Sequence, residues 1–398
     1  MSMADSMIMP FEFATAGAIV FGPGVFRSSV GRVASLGRRA LAVTGKHPDR
    51  HADGLDLLRG EGLNLHQFSV EGEPTVAAVE AAVERAREAD CDLVVAMGGG
   101  SVLDTGKAVA ALLTNPPPAT DYLEIVGKGL PLQNDPAPWV AVPTTAGTGA
   151  EVTRNAVLAS PAHRVKVSMR SPRMLPALAV VDPELTLTLP PAVTAATGMD
   201  ALTQLIEALV SRKANPLTDG FCREGLPRCA RSLRRAVQDG DDLDARVDLS
   251  LASLLSGLAL ANGGLGAVHG IAGPLGGWID VPHGVACGRL LPPVFEANAQ
   301  RLQSEDPAHP ALERLREVAR ILTGNPRADL SDGTAWLDRL ADELALPPLA
   351  RFGLEERDLP RVAENASRAS SMRGNPVELT EADLVDILGK ASGPLLRP

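Results

Sequence analysis

Over residues 182–191 (DPELTLTLPP) the chain changes its period. Before this stretch, short aliphatic runs alternate with helical patterns; after it, helical patterns follow one another alone. A chain divided in this way is confined to an α/β unit followed by an all-helical one. Residues 39–44 (RALAVT), 92–97 (DLVVAM), 139–142 and 178–181 read as buried strands, with helices over 74–89 and 102–113. Continuous apolar strands separated by helices predict a parallel sheet covered on both faces. Segments 193–211, 216–238 and 244–261 read as long Ala- and Leu-rich helices, and no strand is evident after Val181. A length of 398 residues also favours two units over one core. The expected division is residues 1–186 and 187–398.

Net charge is −10 without an extended basic run, which argues against a nucleic-acid or anionic-membrane partner. Aromatics at 3% leave little for a base-stacking platform. No apolar run approaches the ~20 residues of a membrane span. Cys91, Cys222, Cys229 and Cys287 form no CxxC pair and read as reduced thiols of a cytoplasmic protein. MSMADSMIMPFEF at the start lacks a basic region and an apolar run, so no signal peptide is expected.

Two turns carry candidate chemistry. GGGSVLDTGK (residues 98–107) follows a buried strand and opens a helix. Glycines there let a phosphate reach backbone N–H groups at a helix N-terminus; the alternative is a tight turn without ligand. The spacing is neither GxGxxG nor a P-loop. PTTAGTGAE (residues 143–151) also follows a strand, and its hydroxyls suit a cofactor lying across it; the alternative is a loop capping a helix that begins near Ala150.

A second constellation lies downstream. GGLGAVHGIAGPLGGWIDVPHG (residues 263–284) holds His269 and His283, two of only seven histidines. Asp200 and Gln204 stand four apart in the helical segment 193–211, opposite Leu202, Leu205, Ile206 and Leu209. Residues four apart share a helix face, and an aspartate with two imidazoles suits a divalent metal. The alternative is a solvated face and two ordinary hydrogen-bonded histidines.

FGPGV (residues 21–25), GGGSVLDTGK, PTTAGTGAEVT, DPELT, GMDALTQLIEA, the two-histidine block and RGNPVELTEADLVDIL together resemble the iron-containing (group III) alcohol dehydrogenase family over nearly the whole chain. The resemblance implies a dehydroquinate synthase-like fold: an α/β dinucleotide-binding domain (residues 1–186), an all-α metal and substrate domain (187–398), the active site between them, and a homodimer. It implies that Gly98, Gly99, Gly100 and Ser101 hold the cofactor pyrophosphate. Asp104 is expected near the cofactor, Thr144, Thr145 and Thr148 on the nicotinamide side, and Lys166 at a ribose. Asp200, His269 and His283 match three of four metal ligands, His269 and His283 doubling as catalytic residues, and Asn155 is expected to face the substrate.

There are two departures. Gln204 replaces a ligand histidine, and Gly273 replaces a further family histidine. A glutamine oxygen is a neutral and poorer donor than imidazole, so iron or zinc is expected to bind weakly, with Gln204 a weak fourth ligand or a spectator. The strand over 39–44 ends in Gly45, followed by Lys46, His47 and Arg50. Dinucleotide sites commonly place there an acid that holds the ribose 2′-hydroxyl and repels a 2′-phosphate. Either NAD or NADP is therefore expected, with a lean to NADP; the alternative is that these are solvated loop charges. The implied activity is NAD(P)-dependent interconversion of a small alcohol and its aldehyde or ketone. It is assisted by a metal or, in its absence, by a histidine acting as proton donor. The alternatives are a metal-independent carbonyl reductase similar to maleylacetate reductases, a nucleotide-binding protein with little turnover, and a non-redox cyclase. Lack of the lysine and arginine clusters that bind a sugar phosphate argues against the last.

Overall fold

The computed structural model describes residues 10–161 and 165–394; residues 1–9 of the stretch judged not to be a signal peptide lie outside them. The first half runs β1 (Ile19–Phe21), α1 (Val25–Ala34), β2 (Arg39–Gly45), α2 (Ala52–Gly60), β3 (Asn64–Val70), α3 (Val76–Glu88), β4 (Leu93–Gly98), α4 (Gly100–Leu113), β5 (Trp139–Pro143), β6 (Asn155–Ser160), β7 (Val165–Arg170) and β8 (Leu178–Val181). Six strands form one parallel sheet in the order β1-β8-β5-β4-β2-β3. Strand β4 shows why its sequence is apolar throughout. Leu93, Val95 and Met97 pack with Phe26, Val33 and Leu58 on one face, and Val94 and Ala96 with Val79, Val83 and Val109 on the other. Both faces of such a sheet are buried, so no polar alternation survives.

The second half is α5 (Pro191–Val210), α6 (Pro216–Gln238), α7 (Leu243–Gly263), α8 (Ala267–Trp278), α9 (His283–Glu305), α10 (Pro310–Thr323), α11 (Leu330–Glu343), α12 (Leu359–Ser367) and α13 (Glu381–Ser392). As expected, no strand follows Val181 among the described residues. The larger core runs without a break from α3 and α4 into these helices.

Four strands fall outside the sequence reading. β1 has only three residues, and β3 (NLHQFSV) is a half-buried edge strand of mixed polarity. β6 and β7 form a separate antiparallel pair with every second residue buried along β6. The helix near Ala150 that the alternative reading of PTTAGTGAE required is absent: a single 3-10 turn (Ala150–Val152) leads to β6. Gly149 takes φ 60 and lies against α7, where an added Cβ would sit 2.3 Å from the Gly257 Cα. That backbone-to-backbone contact leaves no room for a continuing helix.

Two motifs turn out to be scaffolding. The Asp182 carboxylate of DPELT accepts from the N–H groups of Gly24, Phe26 and Glu184, each at 3.0 Å. It thereby caps α1 from the far side of the sequence. Lys107, fully buried, donates to Thr153 Oγ1 (2.8 Å), the Asn155 carbonyl (2.7 Å) and Asp104 Oδ1 (3.3 Å), while Asp104 Oδ2 accepts from Val157 N (3.0 Å). This knot ties α4 to β6.

Glu151 stands beside the knot, 2% exposed. Burial pushes its carboxyl up to about 7, against the pull of its own backbone N–H and Lys107. A folded pKa above the unfolded one gives stability that is complete below pH ~4.5 and falls as pH rises to about 7. The isosteric Glu151→Gln variant has no charge to bury. Its unfolding free energy, from denaturant titration, should match wild type near pH 4 and exceed it at pH 8, by on the order of 3 kcal/mol. Parallel pH profiles of the two proteins would contradict this.

Candidate active site

The parallel sheet reverses its winding between β2 and β4: β2 leads outward to β3, whereas β4 leads to β5 on the other side. Ligands of open α/β sheets bind at the carboxyl ends of strands flanking such a reversal. Gly45 ends β2 there, and Gly98 ends β4. Gly99 caps α4, whose first residues are Gly100 and Ser101. The threonine turn closes over this helix start. Thr144 N donates to the Gly98 carbonyl at 3.0 Å. A Cβ on Gly99 would stand 3.2 Å from Thr145 Cγ2, and one on Gly100 2.8 Å from Thr148 Cγ2. The two turns thus form one surface of helix-start backbone N–H groups and small hydroxyls, the chemistry a pyrophosphate requires. Lys166 on β7 pairs with Glu73 at 3.1 Å and reaches helix α8, near Gly276.

The threonine turn also touches the helical half. A Cβ on Gly147 would lie 2.7 Å from Thr197 Cβ, on α5. Thr197 is one turn before Asp200. Helix α5 is buried from Thr194 to Val210 with few gaps. Asp200 (2% exposed), Gln204 (3%) and Glu207 (4%) fall on one face at helical spacing. The solvated-face alternative for this helix therefore fails: the face is enclosed by α8 and α9.

His269 lies in the first turn of α8, and Glu207 holds it. Glu207 Oε2 is 2.6 Å from His269 Nδ1, and its Oε1 accepts from Val268 N at 2.6 Å. One carboxylate thus caps the helix and sets the imidazole orientation, leaving Nε2 to face Asp200 Oδ1 at 3.3 Å. Asn375, from the RGNPV motif, accepts from Ala267 N at 3.1 Å and completes the cap. His283 is the first residue of α9. An added Cβ on Gly284 would lie 2.0 Å from the Ala196 carbonyl oxygen, so only glycine lets α9 start this close to α5. His283 Nε2 is 3.7 Å from Asp200 Oδ1.

Cys287 completes the group. Its Sγ is 3.6 Å from His283 Nε2 and 3.8 Å from His269 Nε2. Asp200, His269, His283 and Cys287 each direct one donor atom to a common point, all within 4.8 Å of one another. Burial alone would keep these groups neutral, yet the opposite charges prevail. The His283 and His269 imidazoles hold the Asp200 carboxyl and the Cys287 thiol below their usual ranges. Burial opposes the His269 imidazolium, but Cys287 and Glu207 raise its pKa well above the ordinary value. The Cys287 sulfur raises His283 to about 9. Acids and protons balance within the cluster, and a divalent cation would take over the protons' role.

Of the sequence-predicted residues, Asp200, His269 and His283 converge. Gly45, Gly98, Gly99, Gly100, Ser101, Thr144, Thr145 and Thr148 gather at the carboxyl ends of β2, β4 and β5. Asp104 and Asn155 belong to the Lys107 knot, Asn155 through its carbonyl at the start of β6. Gln204 Oε1 accepts from Ser256 Oγ at 2.6 Å. Gly273 borders open space: an added Cβ would meet nothing within 4 Å. Glu207 and Cys287 were missed. Each had a visible signal, since Glu207 continues the Asp200–Gln204 face at i+7 and Cys287 stands at i+4 from His283.

Comparison with known proteins identifies the family. The model of the iron-containing alcohol dehydrogenase family matches residues 16–183, and that of the family's C-terminal part matches residues 194–392. The chain is 37% identical to the 1,3-propanediol dehydrogenase of Klebsiella pneumoniae over 96% of its own length and 98% of the relative's. It is 36% identical to alcohol dehydrogenase 4 of Saccharomyces cerevisiae, covering 93% and 96%. A crystal structure of 1,3-propanediol oxidoreductase superposes with a TM-score of 0.89 at 35% identity, covering 96% of this chain and all of that one.

Glu207→Gln keeps one acceptor for Val268 N–H but loses the acceptor for His269 Nδ1–H. Zinc affinity, measured by competition with a chelator, should fall by about 10–100-fold, as for loss of an outer hydrogen-bond partner. Unchanged affinity would show that His269 is held in place by packing alone.

Proposed function

The chain belongs to the iron-containing alcohol dehydrogenase family, and from that premise we infer how its residues divide the chemistry. It is an NAD(P)-dependent oxidoreductase that interconverts an alcohol and its aldehyde or ketone. NAD(P) and a divalent metal serve that reaction. When bound, the nicotinamide would supply the hydride acceptor or donor and the metal the positive charge that an alkoxide developing on the substrate needs.

The protein's own groups do the rest. Asp200, His269 and His283 would hold the metal, and the convergence of their donor atoms is the observation that carries this reading. Gly98, Gly99, Gly100 and Ser101 would receive the pyrophosphate. Thr144, Thr145 and Thr148 would line the nicotinamide side, since their turn touches α5 one turn from Asp200. Asp104 supports the cofactor edge through the Lys107 knot, Lys166 reaches toward a ribose, and Asn155 would face the substrate. Orientation of cofactor and substrate across this short gap is the main contribution of the fold.

We place the domain division at 186/187. β8 ends at Val181, α5 begins at Pro191, and the two family models meet across the same interval. The substrate is taken to be a small alcohol, as the names of the 1,3-propanediol relatives suggest. A homodimer follows from family resemblance. A cytoplasmic location suits four free, buried cysteines. Among the described residues no single helix is long and apolar enough to cross a membrane.

Coenzyme choice rests on Gly45, which places no carboxylate at the end of β2, and on Lys46, which pairs with the exposed Glu71. NADP should be accepted to within tenfold of NAD, or about 1.4 kcal/mol. Removing the Glu71 charge frees Lys46 for a 2′-phosphate, so Glu71→Gln should shift the NADP to NAD ratio of kcat/KM upward by a few-fold, the scale of an exposed pair. A preference for NAD above tenfold in wild type would refute this.

Nicotinamide absorbance during incubation with a panel of small alcohols tests the activity, alongside elemental analysis of the purified protein. Gly99→Leu should abolish nucleotide binding, because its side chain must enter the space held by Thr145. His269→Ala should lower kcat by at least about 100-fold, the scale of a lost electrophilic or acid–base group. Full activity in His269→Ala would move the chemistry out of this cleft.

A further inference from the structure

We propose that Cys287 is the fourth protein ligand of the metal, filling the place left by Gln204, and that its sulfur turns the site toward zinc rather than iron. The proposal rests on the reading that Asp200, His269 and His283 hold a divalent ion.

The separations support four ligands. Ligands of zinc lie at about 2.0–2.3 Å, and a tetrahedron's edge is about 1.6 times that length, so donors should stand about 3.3–3.8 Å apart. Four of the six edges are 3.3 Å (His269 Nε2 to Asp200 Oδ1), 3.7 Å (His283 Nε2 to Asp200 Oδ1), 3.6 Å (His283 Nε2 to Cys287 Sγ) and 3.8 Å (His269 Nε2 to Cys287 Sγ), and all donor atoms lie within 4.8 Å of one another. Among the described residues this is the one group of histidine, cysteine and carboxylate donors so arranged. Cys287 is fully buried, one helical turn after His283 on α9, so both reach the same point. Gln204 is engaged elsewhere. Its oxygen accepts from Ser256 on α7, and its amide supports Asp200.

The donor set fixes the preference. One carboxylate, two neutral imidazoles and one thiolate carry charge −2, which a divalent cation cancels inside a buried site. Binding displaces to solvent the protons that the two imidazoles share with the acids and forms a metal–sulfur bond from the thiolate, with no change in oxidation state. A thiolate favours zinc over iron(II), beyond the ordinary affinity order of the two metals. The His283 side chain is 39% exposed, so the cluster stays open on one side for substrate.

The test is cobalt(II) titration of the chelator-stripped protein, read by absorption. Wild type should take up one cobalt per chain, with visible d–d bands and an intense near-ultraviolet sulfur-to-cobalt charge-transfer band. Cys287→Ser should keep the d–d bands and lose the charge-transfer band. Its zinc affinity should drop by more than the roughly 10–100-fold cost of an outer partner. Cys222→Ser and Gln204→Ala should retain the charge-transfer band. With equal zinc and iron(II) under anaerobic conditions, wild type should recover mainly zinc. If Cys287→Ser does not fold, X-ray absorption of zinc-loaded wild type gives the answer, with a sulfur shell at about 2.3 Å expected. Cobalt binding without a charge-transfer band, or with one that survives Cys287→Ser, overturns the ligand while leaving the metal site intact. Equal recovery of the two metals overturns the preference. Failure of wild type to bind cobalt at all removes the metal site itself, and this proposal with it.

Discussion

The cleft is organised by one constraint: helix α5 is buried around most of its circumference, so every polar group on it must find a partner inside the protein. Asp200 meets two imidazoles, Gln204 meets Ser256, and Glu207 meets the first turn of α8. These partners come from α7, α8 and α9. The demand for satisfaction therefore dictates how three further helices approach, and with them where the donor atoms converge. A solvated α5 would impose no such order.

The arrangement is one that stability alone would not choose. Buried ionisable groups cost desolvation, and apolar residues of similar volume often serve a core as well or better. Here a carboxyl, a thiol and two imidazoles share a small volume, each holding the other in its charged form. Glu207 adds a second carboxylate, which makes the His269 ring direction independent of any bound ion. The donor set is thus preorganised, the condition for stabilising charge that appears only during reaction. Across the gap, the glycine and threonine turns are built on a different principle. They carry little charge and offer backbone N–H groups from two neighbouring strands, brought together where Thr145 and Thr148 meet Gly99 and Gly100.

The legible parts of the fold were those buried on both sides. β2, β4, β5 and β8 lie inside the sheet, and each is a continuous apolar run whose ends were read to within a residue or two. The edge strand β3 shares one side with solvent and mixes His66 and Gln67 with Leu65 and Phe68. No periodicity distinguishes such a segment from a loop. The alternative of a helix after Gly149 fails because the course of the chain there is set by contact with Gly257, more than a hundred residues away.

The sequence by itself determined the division into a sheet half and a helical half, the two glycine- and threonine-rich turns after strands, and three of the four side chains that converge at the helical cluster. All of these rest on local pattern: an apolar run, glycines after a strand, an aspartate on a helix face, histidines in a rare setting. Tertiary structure alone decided which polar residues became partners. Glu207 and Cys287 stand at helical spacing from residues already singled out, yet spacing shows only that two side chains share a face. It does not show what the face meets. Once α8 and α9 close on α5, Glu207 becomes the hold on His269, Cys287 comes up against both imidazoles, and Gln204 is engaged by Ser256. The physical reason is that ligation and hydrogen bonding depend on distances of a few ångströms between segments remote in the chain, and only packing sets those distances.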